Sequence, residues 1–310
     1  MKTKRLGNSD MFISSLGFGS WATMTIPSRA LERALELGVN WIDTAAVYGM
    51  GHSEEVIART LANWPGPRPY VFTKCGLQPD DKGQLRRVLT AASIRSECEQ
   101  SLRRLGVEII DLYQIHWPVE DPQEIEEGWI TMSELRREGK VRWIGVSNFN
   151  VDQLKRLQTI APVTSLQPRY SIVHPEAERE ILPFCHRENI GVIVYSPMAS
   201  GLLTGAMTRE GIAKLPENNW RKHDPDFNEP RLSTNLALVE RLRAIGKRHA
   251  ATPGAVAVAW TLRNSTVTGA IVGVREPEQV EDLRQVEVIR LTADEFQYLE
   301  TAGVPQLSAC

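Results

Sequence analysis

Apolar residues fall along this chain in two alternating patterns. Short runs with little alternation appear at Ser15–Gly19, Asn40–Asp43, Tyr70–Lys74, Ile109–His116, Arg142–Ser147, Thr164–Gln167, Gly191–Ser196 and Thr268–Gly273. Runs of this kind suit strands buried on both faces. Between them lie stretches with apolar residues at helical spacing. Arg29–Leu37 stops at Gly38, a C-terminal signal, and Ser53 is followed by Glu54 and Glu55, acids suited to a first turn. Ser93–Leu105, Pro122–Arg137, Val151–Gln158, Glu176–Glu188, Asn235–His249 and Pro277–Leu283 read as further helices. Thr292 and Glu295 have capping-box spacing ahead of a last helix, Ala293–Ala302, and a tail follows it.

Eight strand segments alternating with helices predict parallel pairing through crossovers. A doubly wound open sheet competes with a (β/α)8 TIM barrel. The barrel is favoured because the eight units show no break into halves. No GxGxxG follows the first strand either, since Gly17-Phe18-Gly19 and Gly49-Met50-Gly51 leave that pattern incomplete. One barrel domain over residues 1–310 is the expectation, because barrels commonly take 250 residues or more as one unit. Lys4–Ile13 reads as two short strands around Gly7-Asn8-Ser9-Asp10, a β-hairpin closing the bottom of the barrel. The longest irregular stretch, about 205–233, follows the seventh strand and reads as a lid over the active face.

Composition narrows the class of partner. With 42% apolar and 24% charged residues and a net charge of -2, nothing favours nucleic acid or an anionic membrane. The longest apolar run, Ala255–Trp260, is too short to cross a bilayer, and the N-terminus lacks a signal-peptide core. Cys75, Cys98, Cys185 and Cys310 share no metal-binding spacing, which points to a reducing, cytoplasmic location without disulfides or zinc.

What ends each strand carries the chemistry. The second strand ends at Asp43, with Tyr48 close behind; the third ends at Lys74 and the fourth at His116. Polar residues at these ends converge on one opening. Tyrosine is a weak acid, with a free pKa of about 10. A nearby lysine ammonium stabilises tyrosinate and is expected to lower that pKa. Buried lysine needs a carboxylate, and Asp43 can supply it. His116 can hydrogen-bond a substrate carbonyl oxygen. Taken singly, each of the four fits a packing, capping or surface role; together they make a proton-moving set.

At these residues the chain resembles the aldo-keto reductase family. The resemblance runs from about Arg5 to Leu283. It rests on Asn40-Trp41-Ile42-Asp43-Thr44-Ala45 with Tyr48-Gly49, Gly51 and Ser53-Glu54, and on Phe72-Thr73-Lys74. Asp111-Leu112-Tyr113-Gln114-Ile115-His116, Ile144-Gly145-Val146-Ser147-Asn148-Phe149 and Tyr195-Ser196-Pro197 with Gly201-Leu202-Leu203 continue it. The resemblance implies a catalytic tetrad of Asp43, Tyr48, Lys74 and His116. It implies hydride transfer between a nicotinamide cofactor and a small-molecule aldehyde or ketone, without metal. NADPH is the usual cofactor, with NADH possible. Ser147, Asn148 and Gln167 match carboxamide-binding residues, and Tyr195 matches the ring stacked on the nicotinamide. Ser196, Met198, Gly201 and Leu202 match the pyrophosphate loop. Gly273, Arg275 and Gln279 match the adenosine-phosphate block, where Arg275 suits a 2′-phosphate. Leu283 stands where the family often has an asparagine near the adenine. The short connection from Ser20 to Pro27 is also a departure, and Trp21 and Trp117 read as an aromatic substrate mouth. Some members serve instead as cofactor-binding regulatory subunits of channels, which is the alternative function. A barrel enzyme acting on phosphorylated substrates is a third reading.

Overall fold

A computed structural model describes residues 1–21 and 28–300 of the chain. The connection at 22–27 and the tail from 301 lie outside the described residues. The chain opens with β1 (Thr3–Arg5) and β2 (Phe12–Ser14), an antiparallel hairpin. There follow β3 (Leu16–Gly19), α1 (Ser28–Glu36), β4 (Trp41–Asp43), α2 (His52–Ala62) and β5 (Tyr70–Cys75). A second hairpin, β6 (Leu77–Pro79) and β7 (Leu85–Arg87), precedes α3 (Ala91–Leu105). The alternation resumes with β8 (Ile110–Ile115), α4 (Pro122–Arg137), β9 (Val141–Ser147), α5 (Val151–Gln158), β10 (Ser165–Gln167), α6 (Ile181–Arg187) and β11 (Gly191–Val194). After it come α7 (Arg209–Ala213), α8 (Arg231–His249), α9 (Pro253–Leu262), β12 (Val267–Val272), α10 (Pro277–Arg284) and α11 (Ala293–Glu300).

The eight strands expected from the apolar runs close into a parallel barrel, ordered β3-β4-β5-β8-β9-β10-β11-β12 and sealed by β12 against β3. Strands such as β8 are buried at every position, which explains why they lack a two-residue apolar alternation. Two layers of core result. Outside the barrel, strand and helix side chains form one continuous cluster. Inside it, Leu6, Met11 and Ile13 from the hairpin pack with Trp41, Phe72, Leu112, Ile193 and Ile271. Gly7 of the hairpin turn lies against the Thr164 carbonyl and the Gly191 amide, at the amino ends of strands. The hairpin therefore plugs the bottom. Gly17 has a positional reason of its own: a Cβ there would lie 2.3 Å from the Trp41 ring.

Four readings of the pattern change. Glu176–Glu188 is a 3-10 turn at Glu176–Glu178 followed by α6, because one continuous helix would place Pro183 in its interior without an amide donor. Ala255–Trp260 lies within α9, a helix buried all round, so it carries no amphipathic stripe. The β6–β7 hairpin is exposed and held by Asp80, which accepts from the Lys82 and Gln84 amides; it too lacks apolar alternation. The 205–233 stretch holds α7 and two 3-10 turns, Trp220–His223 and Pro225–Phe227, and α8 starts at Arg231.

Candidate active site

The carboxyl ends of the strands bring Asp43, Lys74 and His116 to one face, and the turn after β4 adds Tyr48. That turn is shaped by three left-handed residues, Gly49, Met50 and Gly51. It is pinned by the Ser53 amide donating to the Tyr48 carbonyl at 3.2 Å. Gly51 caps α2, and Ser53 instead joins a buried hydroxyl chain with Thr44 and Ser20. Glu54 is fully buried; it accepts from Thr73 and Arg104, tying α2 to the strand that carries Lys74.

Lys74 is 1% exposed. Its Nζ donates to Asp43 Oδ1 at 2.6 Å and to the Thr44 carbonyl at 2.9 Å, and lies 3.5 Å from the Tyr48 hydroxyl. Burial, the largest single effect, lowers the Lys74 pKa; the charges and hydrogen bonds of Asp43 and Tyr48 together outweigh it, and the value stands above the ordinary lysine value. Asp43 is held on its other oxygen by Gln167 Nε2 at 2.8 Å, and Gln167 also reaches Gln114 at 3.4 Å. The Tyr48 and His116 rings meet edge-on at 5.8 Å between centroids.

The acidity of Tyr48 departs from the expectation. Burial raises its pKa, Lys74 lowers it and Asp43 raises it again, and the sum lies above the ordinary tyrosine value. The ammonium acts in the anticipated direction, but desolvation of the phenolate is larger. His116 is held well below 6.5, first by burial and then by the Lys74 charge, so its imidazole is neutral at pH 7. A profile of kcat/KM against pH is therefore expected to show no inflection from His116 near 6.5. Folding stability should decline as pH falls below about 6.5, because the unfolded chain then takes up a proton that folded His116 refuses. An activity inflection at 6.5 that vanishes in His116→Gln would contradict this.

Asn148 crosses the mouth. In a left-handed conformation (φ 65°), its Nδ2 donates to the His116 carbonyl and to Ser147 Oγ, both at 3.0 Å, and its Oδ1 accepts from the Tyr195 hydroxyl at 2.9 Å. Ser147 Oγ donates to the Gln167 carbonyl at 2.8 Å. After β11 the backbone turns left-handed at Ser196, Ala199, Ser200, Gly201 and Gly205. Successive amides in such turns form concave nests for anions. Met198 packs against Gly254 at the start of α9, and Leu202 is fully buried beneath the loop.

Arg275 and Gln279 lie beyond β12. Gln279 Oε1 accepts the Arg275 and Glu276 amides as part of the capping box of α10, so its side chain serves the helix. Gly273 is exposed beside them, and Leu283 faces the core. Arg275 is exposed, and its charge is felt by Arg221. Arg221 belongs to the 205–233 stretch and donates to the Ser200 carbonyl at 3.2 and 3.0 Å. Arg221 thus flanks the left-handed loop, with Arg275 near enough for its charge to act on it. Trp21 is half exposed and meets Trp220 edge-on at 6.2 Å, whereas Trp117 lies under Arg87 of the second hairpin at 5.0 Å. Trp220, Arg221 and Gln114 had no sequence signal as site residues, apart from the first two lying in the suspected lid.

The sequence profile of the Aldo/keto reductase family matches residues 15–303. The chain belongs to that family. Its members are oxidoreductases acting on carbonyl compounds with nicotinamide cofactors. An aldo-keto reductase of Bacillus subtilis is 35% identical over 97% of this chain and 93% of its own length. An NADH-specific methylglyoxal reductase of Escherichia coli is 32% identical over 91% of this chain and 92% of its own length. Among solved structures, a glycerol dehydrogenase from Gluconobacter oxydans superposes with a TM-score of 0.89 at 35% identity, covering 97% of this chain and 94% of that one. The holo form of an aldo-keto reductase from Bacillus halodurans gives 0.81 at 27% identity, covering 97% and 96%. Among the described residues there is no group of three or more potential metal ligands, and no helix is long and apolar enough to cross a membrane.

Proposed function

We propose that this aldo-keto reductase converts an aldehyde or ketone to its alcohol with Tyr48 as general acid and NADPH as the preferred reductant. The observation that carries the reading is the buried line Asp43–Lys74–Tyr48, with a neutral imidazole beside the phenol. A bound reduced nicotinamide supplies the hydride. The chain supplies the rest. His116 donates a hydrogen bond to the substrate oxygen and orients it. Tyr48, protonated at neutral pH, gives its proton to that oxygen as negative charge builds there. The tyrosinate left behind is stabilised by the Lys74 ammonium, which Asp43 keeps charged. A raised pKa suits this role, since the phenol need only be a stronger acid than the alcohol it forms.

The residues fit the cofactor. Ser147, Asn148 and Gln167 present hydroxyl and amide groups of the kind a carboxamide pairs with. The ring of Tyr195 offers a stacking face for the nicotinamide. The loop through Ser196, Met198, Gly201 and Leu202, left-handed at Ser196, Ala199, Ser200 and Gly201, suits a pyrophosphate, and Gly273, Arg275 and Gln279 are the candidates for the adenosine phosphate. Arg221, which bonds the Ser200 carbonyl of that loop, joins this set. The segment 205–233 serves as the lid, and Trp21, Trp117 and Trp220 line the substrate mouth. We place the protein in the cytoplasm, where its buried Cys75, Cys98 and Cys185 thiols stay reduced.

The deciding experiment is a carbonyl panel assayed with NADPH and NADH side by side; no oxidation of either cofactor with any reactive aldehyde overturns the reading. The cofactor preference has its own test. Arg275→Ala should weaken NADPH by about tenfold or more and NADH far less, because a charge-assisted contact to the 2′-phosphate is worth about 1.5–3 kcal/mol. Equal losses for both cofactors would remove Arg275 from that role.

A further inference from the structure

Above its apolar plug, the barrel interior carries a polar layer built from four neighbouring strands. Lys74 of β5 pairs in register with Gln114 of β8, Gln114 with Gly145 of β9, and Gly145 with Ser165 of β10. All four residues are buried. A Cβ on Gly145 would point into this layer, 2.3 Å from Ser165 Oγ and 3.5 Å from Gln114 Cγ. Bulky branched apolar residues dominate such layers in barrels. Toward the bottom, Phe72 of β5 pairs with Leu112 of β8, and there the filling is apolar. Gln114 therefore needs a polar reason for its place, since a buried amide is costly unless it is bonded.

Its partner is Gln167, and the order of donors and acceptors between them is forced. A carboxylate only accepts. Asp43 Oδ2 accepts from Gln167 Nε2 at 2.8 Å, so Gln167 turns its nitrogen toward Asp43. The same nitrogen donates to Gln114 Oε1 at 3.4 Å. A flipped Gln114 would set nitrogen against nitrogen. Gln114 Nε2 is left over: it is buried and bonds nothing among the described residues. An amide that strands its own donor adds little stability, and an apolar side chain of the same shape would pack without that cost. What Gln114 does supply is an acceptor for the second amide hydrogen of Gln167.

With both hydrogens taken, Oε1 is the part of the Gln167 side chain left to meet a ligand. The neighbouring candidates are more fully engaged. Asn148 gives its amide hydrogens to the His116 carbonyl and Ser147 Oγ, and its oxygen accepts from the Tyr195 hydroxyl. Ser147 gives its hydroxyl hydrogen to the Gln167 carbonyl.

We propose that Gln114 is a positioning residue for the cofactor: by holding the second amide hydrogen of Gln167, it keeps Gln167 Oε1 turned to accept an N–H from the nicotinamide carboxamide. This role rests on the functional reading above for its cofactor and on the Asp43–Gln167–Gln114 line for its mechanics. Gln114 acts only through Gln167. Its effect is therefore confined to ligands that can donate a hydrogen at the carboxamide position. Fixing an acceptor in its bound orientation strengthens binding by removing the cost of ordering it. The chemical step, which belongs to Tyr48 and His116, is left alone.

The test uses the full chain with Gln114→Met, which keeps length and burial and removes both polar atoms. Calorimetric titration should show NADP⁺, or NAD⁺ if the parent binds it more tightly, held about fivefold more weakly by the variant. The 3-acetylpyridine analogue of the same dinucleotide has a methyl ketone in place of the carboxamide and no N–H to donate there. Its dissociation constant should change by less than about twofold, and turnover at saturating reduced cofactor should stay within about twofold. Unchanged affinity for the natural dinucleotide, equal losses for it and the analogue, or a fall in turnover matching the fall in affinity each overturn the role. If Gln114→Met does not fold, Gln114→Leu carries the same comparison. A parent chain that binds neither NADP⁺ nor NAD⁺ sinks the functional reading; equal losses for both ligands, in a variant of a parent that binds them, sink the role of Gln114 alone.

Discussion

Tyr48→Phe is expected to lower kcat by about 10²–10⁴ while changing the cofactor dissociation constant by less than about twofold. The substitution removes one oxygen from a site otherwise left intact. The phenol lies 3.5 Å from Lys74 Nζ and edge-on to His116, and no cofactor-facing candidate bonds to it. Lys74 keeps its stronger contacts, Asp43 at 2.6 Å and the Thr44 carbonyl at 2.9 Å, so the buried pair survives. What is lost is the proton at the moment the substrate oxygen becomes anionic, an effect confined to the transition state. Rapid-mixing turnover with titration of NADPH fluorescence separates the two quantities. Near-normal turnover in the variant would take the acid role away from Tyr48. A loss of cofactor affinity matching the loss of rate would instead mean that the ring builds the nucleotide site.

Asp43→Asn should act on both stability and rate. Removing one member of a buried ion pair typically costs about 3–5 kcal/mol, because the remaining charge stays desolvated without a partner. Here that charge is Lys74, 1% exposed, and the new amide also faces Gln167 Nε2 where the carboxylate accepted it. Lys74 then escapes by losing its proton, and its folded pKa falls below the unfolded value of about 10.4. The sign of the pH dependence follows. In the parent the folded pKa is raised, so the contribution of the pair is present below about 10.4 and is lost as pH rises through the folded value. In the variant the penalty is present at neutral pH and fades as pH approaches about 10.4, because the unfolded lysine then loses its proton too. Urea unfolding at pH 7 and pH 10 should show the variant gaining ground on the parent. Equal deficits at both pH values would mean that Lys74 stays charged without Asp43. Turnover should fall at neutral pH as well, since a neutral amine no longer supports tyrosinate.

The eight strands and three of the four proton-moving residues were legible for one reason. A strand buried on both faces is mostly apolar, so a charged or polar residue at its carboxyl end stands out. Asp43, Lys74 and His116 all stand out this way. Tyr48 does not, because it lies in a turn whose shape comes from Gly49, Met50 and Gly51. Helix α9 and the β6–β7 hairpin escaped the pattern for opposite reasons: one is buried on every side and the other on none.

The sequence by itself determined the barrel, the plugging hairpin and the identity of the groups at its mouth, because those depend on local apolar periodicity and on residues within a few positions of a strand end. Only the tertiary structure decided how those groups behave. Whether Tyr48 is a stronger or weaker acid than free tyrosine depends on its burial against the opposing charges of Lys74 and Asp43, which the fold sets. Asp226 shows the same limit. It meets Arg169, 57 positions away, and His174, 52 away, across a segment with no apolar period. A contact between charges leaves no repeat in the sequence, so it becomes visible only when the chain has closed around it.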